Sequence, residues 1–556
     1  MEKTDLIKEF IDFRNSRKDL KNWKEINFYQ YLFKKYISLS TSKEITRKEI
    51  CLKENKIVNS YKIGQFDLFN VFIYNKQEER EYLYESKLNT GSHSKTNYFL
   101  EITERIIEKI EIENYFEIIP IEQLINQYKE VAFQEITDQY HNIANEFKER
   151  LSLFIAIKKL KLTKIFPLLI DDFIEEIFLD AEDQDIYLNH QSYGRCKTKK
   201  KLKRTEFERI KTLLRLYSGR RIDYNNPSIK HVIKNRFFFT RFAIDIIPVH
   251  SLNYSMDIRK LDKNILTIQD LIQNHTLNSR ISAFLYYCIL KKKNILVTGE
   301  TDTGKTTLIN TLDLLAPKHF RKIYIENIPE SLDQMKFGKH QLKYRVNSLD
   351  EENDNKISKK KLIKTLLHRS PDIIYLGEIL TKEEAEAMFH CFASGLRGFQ
   401  TIHARSIESL INRFLFHFGI DKFCLEDLDL IILMKNKNNK RFITEIAEIE
   451  DIELNDKIRI RKIFQYNPAS NGWIISDLYN SKIIQSIRKY ENLPTYLFKK
   501  YISLFCEIFS FLKKKERLTN STLVDLFHKL SFHSANGAGH RLNKLQDFWH
   551  QWKKTY

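Results

Sequence analysis

Gly299-Glu300-Thr301-Asp302-Thr303-Gly304-Lys305-Thr306 carries the spacing of a phosphate-binding loop, with two glycines, a lysine and a hydroxyl residue in the required order. Each part has a task. Loop amides and the start of the next helix cradle phosphate oxygens, Lys305 would neutralise β and γ charge, and the Thr306 hydroxyl would ligate Mg²⁺. Thr307 would support the helix start. Glycine, needed where the backbone turns sharply or meets a ligand, is scarce: 14 in 556 residues, yet Gly299, Gly304, Gly338, Gly377, Gly395 and Gly398 all fall between 299 and 398. The chemistry is concentrated there.

Such a loop must be held by a strand before it and a helix after it. Asn294–Thr298 is a short apolar run, and Lys305–Leu315 is apolar at helical spacing until Pro317 stops it. Further short apolar strands are expected at Lys322–Glu326, Asp372–Leu376 and Phe399–His403, with helical stretches between them. That order predicts a doubly wound parallel sheet. Its strands end in Glu326 (then Asn327 and Glu330), Gly377-Glu378, and Thr401 with His403. Ligands bind at the carboxyl ends of such strands, so these groups should converge on the phosphates.

These motifs resemble the secretion-system ATPase family that powers type II secretion, type IV pili and the archaellum and supplies ATPases to type IV secretion. The acidic box resembles Tyr324–Glu330, the second Walker motif Ser370–Glu378, and the histidine box Gly398–Ala404. The resemblance implies an Mg²⁺-dependent ATPase with a RecA-like core, binding ATP through Gly299 to Thr307. It implies that Glu378 acts as base or Mg²⁺ ligand, with Glu326 as a second acidic group and His403 as γ-phosphate sensor. It also implies a homo-oligomeric ring of six subunits, with an arginine acting on a neighbour's site. Arg220, Arg221, Arg236, Arg241 and Arg259 are the candidates, with Arg241 and Arg259 preferred.

The likeness covers about 165 to 470. Asp172–Asp180 and Asp185–His190 resemble opening strands of an α+β N-terminal domain, followed by a helix over Thr205–Leu216 with a Thr205/Glu208 capping box and Gly219 after it. Asp257–Lys260 resembles the basic interdomain linker, and Arg441–Glu448 the strand after the core. The expected division is a helix-rich, mixed extension over 1–165, the α+β domain over 166–255, a linker over 256–262, the RecA-like core over 263–435, and a C-terminal strand-plus-helix region over 436–556. The pattern departs from the family at Asn327, in place of Asp, at Leu380, in place of Arg, and at His368-Arg369-Ser370. Leu380 cannot offset the Glu378 charge, which predicts a slow motor with intact nucleotide capture.

Composition bounds the rest. With 42% hydrophobic residues the chain can bury several cores. The best apolar run, Ile281–Leu290, is too short for the roughly 20 residues of a membrane span and reads as a buried helix. The start lacks a secretory pattern, so the expected place is cytoplasmic, peripheral at the inner face of the membrane. Cys51, Cys196, Cys288, Cys391, Cys424 and Cys506 form no Cys-x-x-Cys pair and read as reduced core residues. Lys and Arg number 92 against 73 Asp and Glu. That excess, with the runs at Lys197–Arg204, Lys359–Lys364, Lys435–Lys440 and Lys513–Lys515, favours solvated faces or an acidic lipid surface, and no specific nucleic acid is expected. The segment Tyr31–Leu39 recurs unchanged as Tyr496–Leu504 and has the apolar stripe of an amphipathic helix. The preferred reading is a motor that moves its domains against a polytopic membrane platform protein. The alternatives are a DNA-translocating type IV secretion or conjugation ATPase, and a degenerate nucleotide-binding scaffold.

Overall fold

A computed structural model describes residues 55–76, 81–90, 93–110, 119–219, 221–223, 226–247, 253–261, 265–327, 329–346, 359–366, 368–437, 440–452, 458–534 and 540–555. The chain divides into two compact units, Met1–Lys260 and Leu261–Tyr556.

In the N-terminal unit nine strands form one sheet. Their order is β1 (Asn55–Ile63), β2 (Phe69–Lys76), β3 (Glu81–Leu88), β6 (Gly194–Lys201), β5 (Asp185–His190), β4 (Ile174–Leu179), β9 (Asn253–Lys260), β8 (Phe239–Ile247) and β7 (Ser228–Lys234). Among the described residues only the β3 to β6 pairing is parallel. The stretch 55–88 thus supplies three strands to the sheet. Alternation explains why: Val71 and Ile73 of β2 are buried in one core with Ile177 and Leu188, and the helices Ile121–Gln139 and Asn145–Lys159 add Ile125, Ala132, Leu151 and Ile155. The buried Asp171 carboxylate accepts from the hydroxyls of Tyr61 on β1 and Tyr84 on β3, each at 2.7 Å, so this polar group inside the core is satisfied.

Two local expectations shift. The helix runs Arg204–Ser218, and its reciprocal N-terminal bond comes from Glu206, which accepts from the Lys203 amide at 2.8 Å. Glu208 instead pairs with Lys211 at 2.8 Å. Lys203 holds the extended backbone of an N-cap, so the chain enters the helix before Thr205. Gly219 does close it, with φ 67° and its amide on the Arg215 carbonyl. Asp257–Lys260, expected in a linker, is the end of β9, hydrogen-bonded between β4 and β8.

The C-terminal unit is built on a second nine-stranded sheet. Its order is β12 (Gln341–Arg345), β11 (Lys322–Glu326), β13 (Ile373–Glu378), β14 (Gly398–His403), β10 (Ile295–Gly299), β15 (Leu430–Lys437), β16 (Lys440–Ile452), β17 (Ile458–Asn467) and β18 (Gly472–Ile475). Strands from β12 to β15 are parallel, and β16 to β18 continue antiparallel. Both faces are covered. Ile295 and Val297 pack with Leu308 and Leu312 of the Lys305–Leu315 helix and with the buried Ser279–Leu290 helix. Leu296 faces the other way, into a core with Ile363, Met388 and Leu410 from the helices Lys359–Leu366, Lys382–Ala393 and Ile407–Asn412. This is a RecA-like core, a parallel sheet wound on both sides.

The C-terminal helices belong to the same unit. Helix Thr495–Lys514 packs on Ser279–Leu290 through Tyr287 on Phe498 and Tyr286 on Phe505, with ring centroids 5.2 and 4.9 Å apart. Leu497, Phe498, Tyr501, Ile502 and Leu504 of the repeated segment are buried there, so this copy is a core helix. The copy at Tyr31–Leu39 lies outside the described residues, as does Cys51. Cys196, Cys288 and Cys391 are buried thiols, whereas Cys424 and Cys506 are half-buried. Among the described residues no helix is long and apolar enough to cross a membrane.

Candidate nucleotide site

β10 delivers the chain to the loop, and the Lys305–Leu315 helix leaves it. Two glycines make this turn possible. A Cβ on Gly299 would stand 2.6 Å from the Met434 carbonyl oxygen and from Thr303 Oγ1, and Gly304 caps the helix with φ 85°. Glu300, Thr301 and Asp302 are exposed, Thr303 is buried with its hydroxyl on the Glu300 carbonyl at 3.0 Å, and Thr306 and Thr307 are half-buried. The Lys305 ammonium lies inside the loop, donating to the Gly299 and Glu300 carbonyls at 3.2 and 2.7 Å and reaching His403 Nδ1 at 3.0 Å.

Strand order brings the next groups in. β14 lies between β10 and β13, with Gly299 opposite His403 and Thr401 opposite Glu378. The β13 to β14 ladder slips between Tyr375 and Glu378. There the buried Gln400 side chain accepts from the Leu376 amide at 3.0 Å, and Gly377 turns with φ 66°. Such a bulge re-aims the residue that follows it, here Glu378. His403 Nε2 meets the Glu378 carboxylate. An ammonium can only donate, so Nδ1 is the acceptor for Lys305 while Nε2 faces Glu378, and the His403 ring links the two. Burial by itself would raise the Glu378 carboxyl, but His403, Lys305 and Lys359 together hold it below the usual range.

The acidic box divides its two carboxylates. Glu326 is buried and accepts from the amides of Glu330 and Ser331 at 3.1 and 2.9 Å and from the Ser331 hydroxyl, so it shapes the turn. Burial raises its carboxyl against those bonds and Lys343. Glu330 is the group on the loop: its Oε2 accepts from Thr306 Oγ1 at 3.2 Å, and its carbonyl from Asn310 at 3.0 Å. Sequence reasoning noticed Glu330 only as the end of its motif, since spacing does not say which carboxylate the turn consumes. Thr306 Oγ1 and Glu330 Oε2 are hard oxygen donors of the kind that Mg²⁺ takes. Among the described residues no group of three or more His, Cys, Asp or Glu could hold a metal by itself.

Lys359 was not foreseen as more than one member of a lysine run. It is buried, donates to the Glu378 carbonyl at 2.8 Å and pairs with Glu384 at 3.1 Å, while Glu384 also accepts from the Leu380 amide at 2.8 Å. The turn after Glu378 is therefore held at both ends. Lys359 thus brings a positive charge near this turn from another element, while Leu380 itself is exposed. We expect Leu380→Arg to change turnover by less than about twofold, read as steady-state phosphate release.

The preferred arginines belong to the N-terminal unit. Arg241 of β8 and Arg259 of β9 stand opposite each other, with Glu176 of β4 next in the row, 3.9 Å from Arg259. Arg236 pairs with Glu122 at 3.6 Å and lies over Phe237, and Arg220 falls outside the described residues. In the lysine run of β6, Lys197 pairs with Asp185 at 3.2 Å and burial pushes the Lys200 ammonium down to about 8. That run is in large part engaged within the fold.

A P-loop on a central parallel strand, with a histidine at the end of the strand beside it and a carboxylate at the end of the next, defines a P-loop nucleotide-binding protein. The family described as type II/IV secretion system protein matches residues 157–472, more than half of the chain, and the chain belongs to that family. Protein MJ1287 of Methanocaldococcus jannaschii is 32% identical over 229 residues, 37% of this chain and 77% of that protein. The type IV secretion system protein PtlH of Bordetella pertussis is 30% identical over 131 residues, 23% of this chain and 38% of its own length. Among solved structures, the ATPase DotB of Legionella pneumophila shares 14% identity at a TM-score of 0.37, over 70% of this chain and 94% of that one.

Proposed function

We propose that the chain is an Mg²⁺-dependent ATPase, the motor of a type IV pilus, archaellum-like or type II secretion system, working on a polytopic membrane platform protein. The observation that carries the reading is the run from Lys305 through His403 to Glu378 across three adjacent strand ends. Phosphoryl transfer needs little covalent chemistry from a protein; it needs positioned charge and an oriented water. Lys305 and the loop amides bind the phosphates, Glu378 orients or deprotonates the attacking water, and His403 reports to Glu378 whether Lys305 is engaged. Mg²⁺, when bound, supplies charge neutralisation at the phosphate oxygens, and Thr306, Glu330 and Glu378 are the residues that would hold it.

A homo-oligomeric ring, of six subunits in this reading, lets Arg241 or Arg259 act on a neighbour's site, and the division of the chain set out from sequence, its linker apart, is part of the same proposal. An acidic lipid surface at the inner membrane face is the expected setting. The test is phosphate release by the purified chain with ATP and Mg²⁺, with and without DNA, beside sedimentation with nucleotide. Turnover indifferent to DNA together with a nucleotide-stabilised ring supports the motor. Stimulation by DNA points instead to a DNA-translocating relative, and binding without hydrolysis to a scaffold.

A further inference from the structure

The P-loop carries two carboxylates, Glu300 and Asp302, among amides that must receive an anion. Asp302 is exposed and sits in the left-handed region, φ 59°, where a non-glycine residue needs support. That support comes from outside the loop. Arg441 of β16 donates through Nη2 to Asp302 Oδ1 at 2.7 Å and through Nε to the Asp302 carbonyl at 3.0 Å. Asn436, near the end of β15, places its amide 3.3 Å from both the carbonyl and Oδ2 of Asp302. The stem of Arg441 also covers the last glycine of the loop, with Cδ 3.3 Å from where a Cβ on Gly304 would stand.

We propose that Arg441 is a positioning residue for the nucleotide site, which cancels the Asp302 charge and holds the loop in its phosphate-receiving shape. A bare carboxylate in the loop would repel the phosphates, and one guanidinium removes both that repulsion and the freedom of the turn at 302. The antiparallel strand that follows the core is thereby joined to the phosphate loop. The inference rests on the reading of Gly299 to Thr306 as a nucleotide site, and it makes Arg441 important only because Asp302 is present.

The test is the affinity of the full-length chain for a fluorescent N-methylanthraniloyl ADP, in a double-variant cycle with Asp302→Gly. Arg441→Ala is expected to weaken binding about tenfold in the Asp302 protein and less than about twofold in the Asp302→Gly protein. Arg441→Lys, which keeps the charge, should stay within about threefold of the parent. The Arg441→Ala defect should also shrink as ionic strength rises from about 0.1 to 1 M, since screening substitutes for the missing cation. An equal loss in both backgrounds would mean that the arginine acts on the nucleotide itself, and no loss in either would mean that it does nothing at the loop; each result overturns the proposal. Absence of binding by the parent chain would remove the nucleotide-site reading as well, and is distinguished by that control.

Discussion

Glu378→Gln is expected to bind nucleotide as the parent does and to release phosphate at least about a hundredfold more slowly, the usual scale for a general base. Lys305→Ala is the counterpart. It should lose roughly 10- to 150-fold in nucleotide affinity, the equivalent of a charge-assisted hydrogen bond of about 1.5–3 kcal/mol. The division follows from the geometry: Lys305 lies inside the loop, whereas Glu378 is linked to it through His403. Replacement by glutamine keeps size and removes the basic oxygen, so binding reports on the loop and turnover on the carboxylate. Measured by titration of a fluorescent nucleotide and by steady-state phosphate release, equal hydrolysis by parent and Glu378→Gln would end the assignment.

Lys322→Met should lower the stability of the C-terminal unit by about 3 kcal/mol or more, the scale for stripping one partner from a buried ion pair. Lys322 and Asp313 pair at 2.8 Å with side chains 0% and 3% exposed. Gln334 accepts from Lys322 at 2.6 Å, and Tyr324 and Gln334 donate to Asp313. Lys339 closes the end of the P-loop helix on the carbonyls of Asp313, Leu314 and Ala316. Burial alone would raise the Asp313 carboxyl, but Lys322 and Lys339 hold it below the usual range. With the folded value depressed, this stabilisation is complete above about pH 4 and is lost as pH falls through the lowered value. Urea denaturation followed by tryptophan fluorescence is suited to this unit, which holds Trp473, Trp549 and Trp552. Asp313→Asn with Lys322→Met should cost at least about 1 kcal/mol less than Lys322→Met alone, because no unpaired charge stays buried; an equal or larger cost would show that hydrogen bonding and not charge governs the cluster.

Periodicity read the ATPase core well. The P-loop helix begins and ends where Gly304 and Pro317 place it, and β10, β11, β13 and β14 fall within a residue or two of the apolar runs. The N-terminal unit was less legible. Its strands β1 to β3 carry no motif, and their membership of a sheet depends on a parallel pairing with β6 more than a hundred residues away along the chain. The linker expectation failed for a related reason, since a short charged stretch such as Asp257–Lys260 looks the same whether it is solvated or hydrogen-bonded between two strands.

The phosphate loop, the doubly wound parallel sheet and the set of polar strand ends were legible in the sequence. These rest on local rules: turn chemistry, hydrophobic period, and the link between a parallel sheet and the carboxyl ends of its strands. Which groups meet came from packing. It placed β14 between β10 and β13, gave Glu330 rather than Glu326 to Thr306, and brought Lys359 and Arg441 to the site from distant elements. The physical reason is that strand order and side-chain burial are settled by packing between segments far apart in the chain, and a charge acts over a few ångströms of space, whatever its distance in sequence.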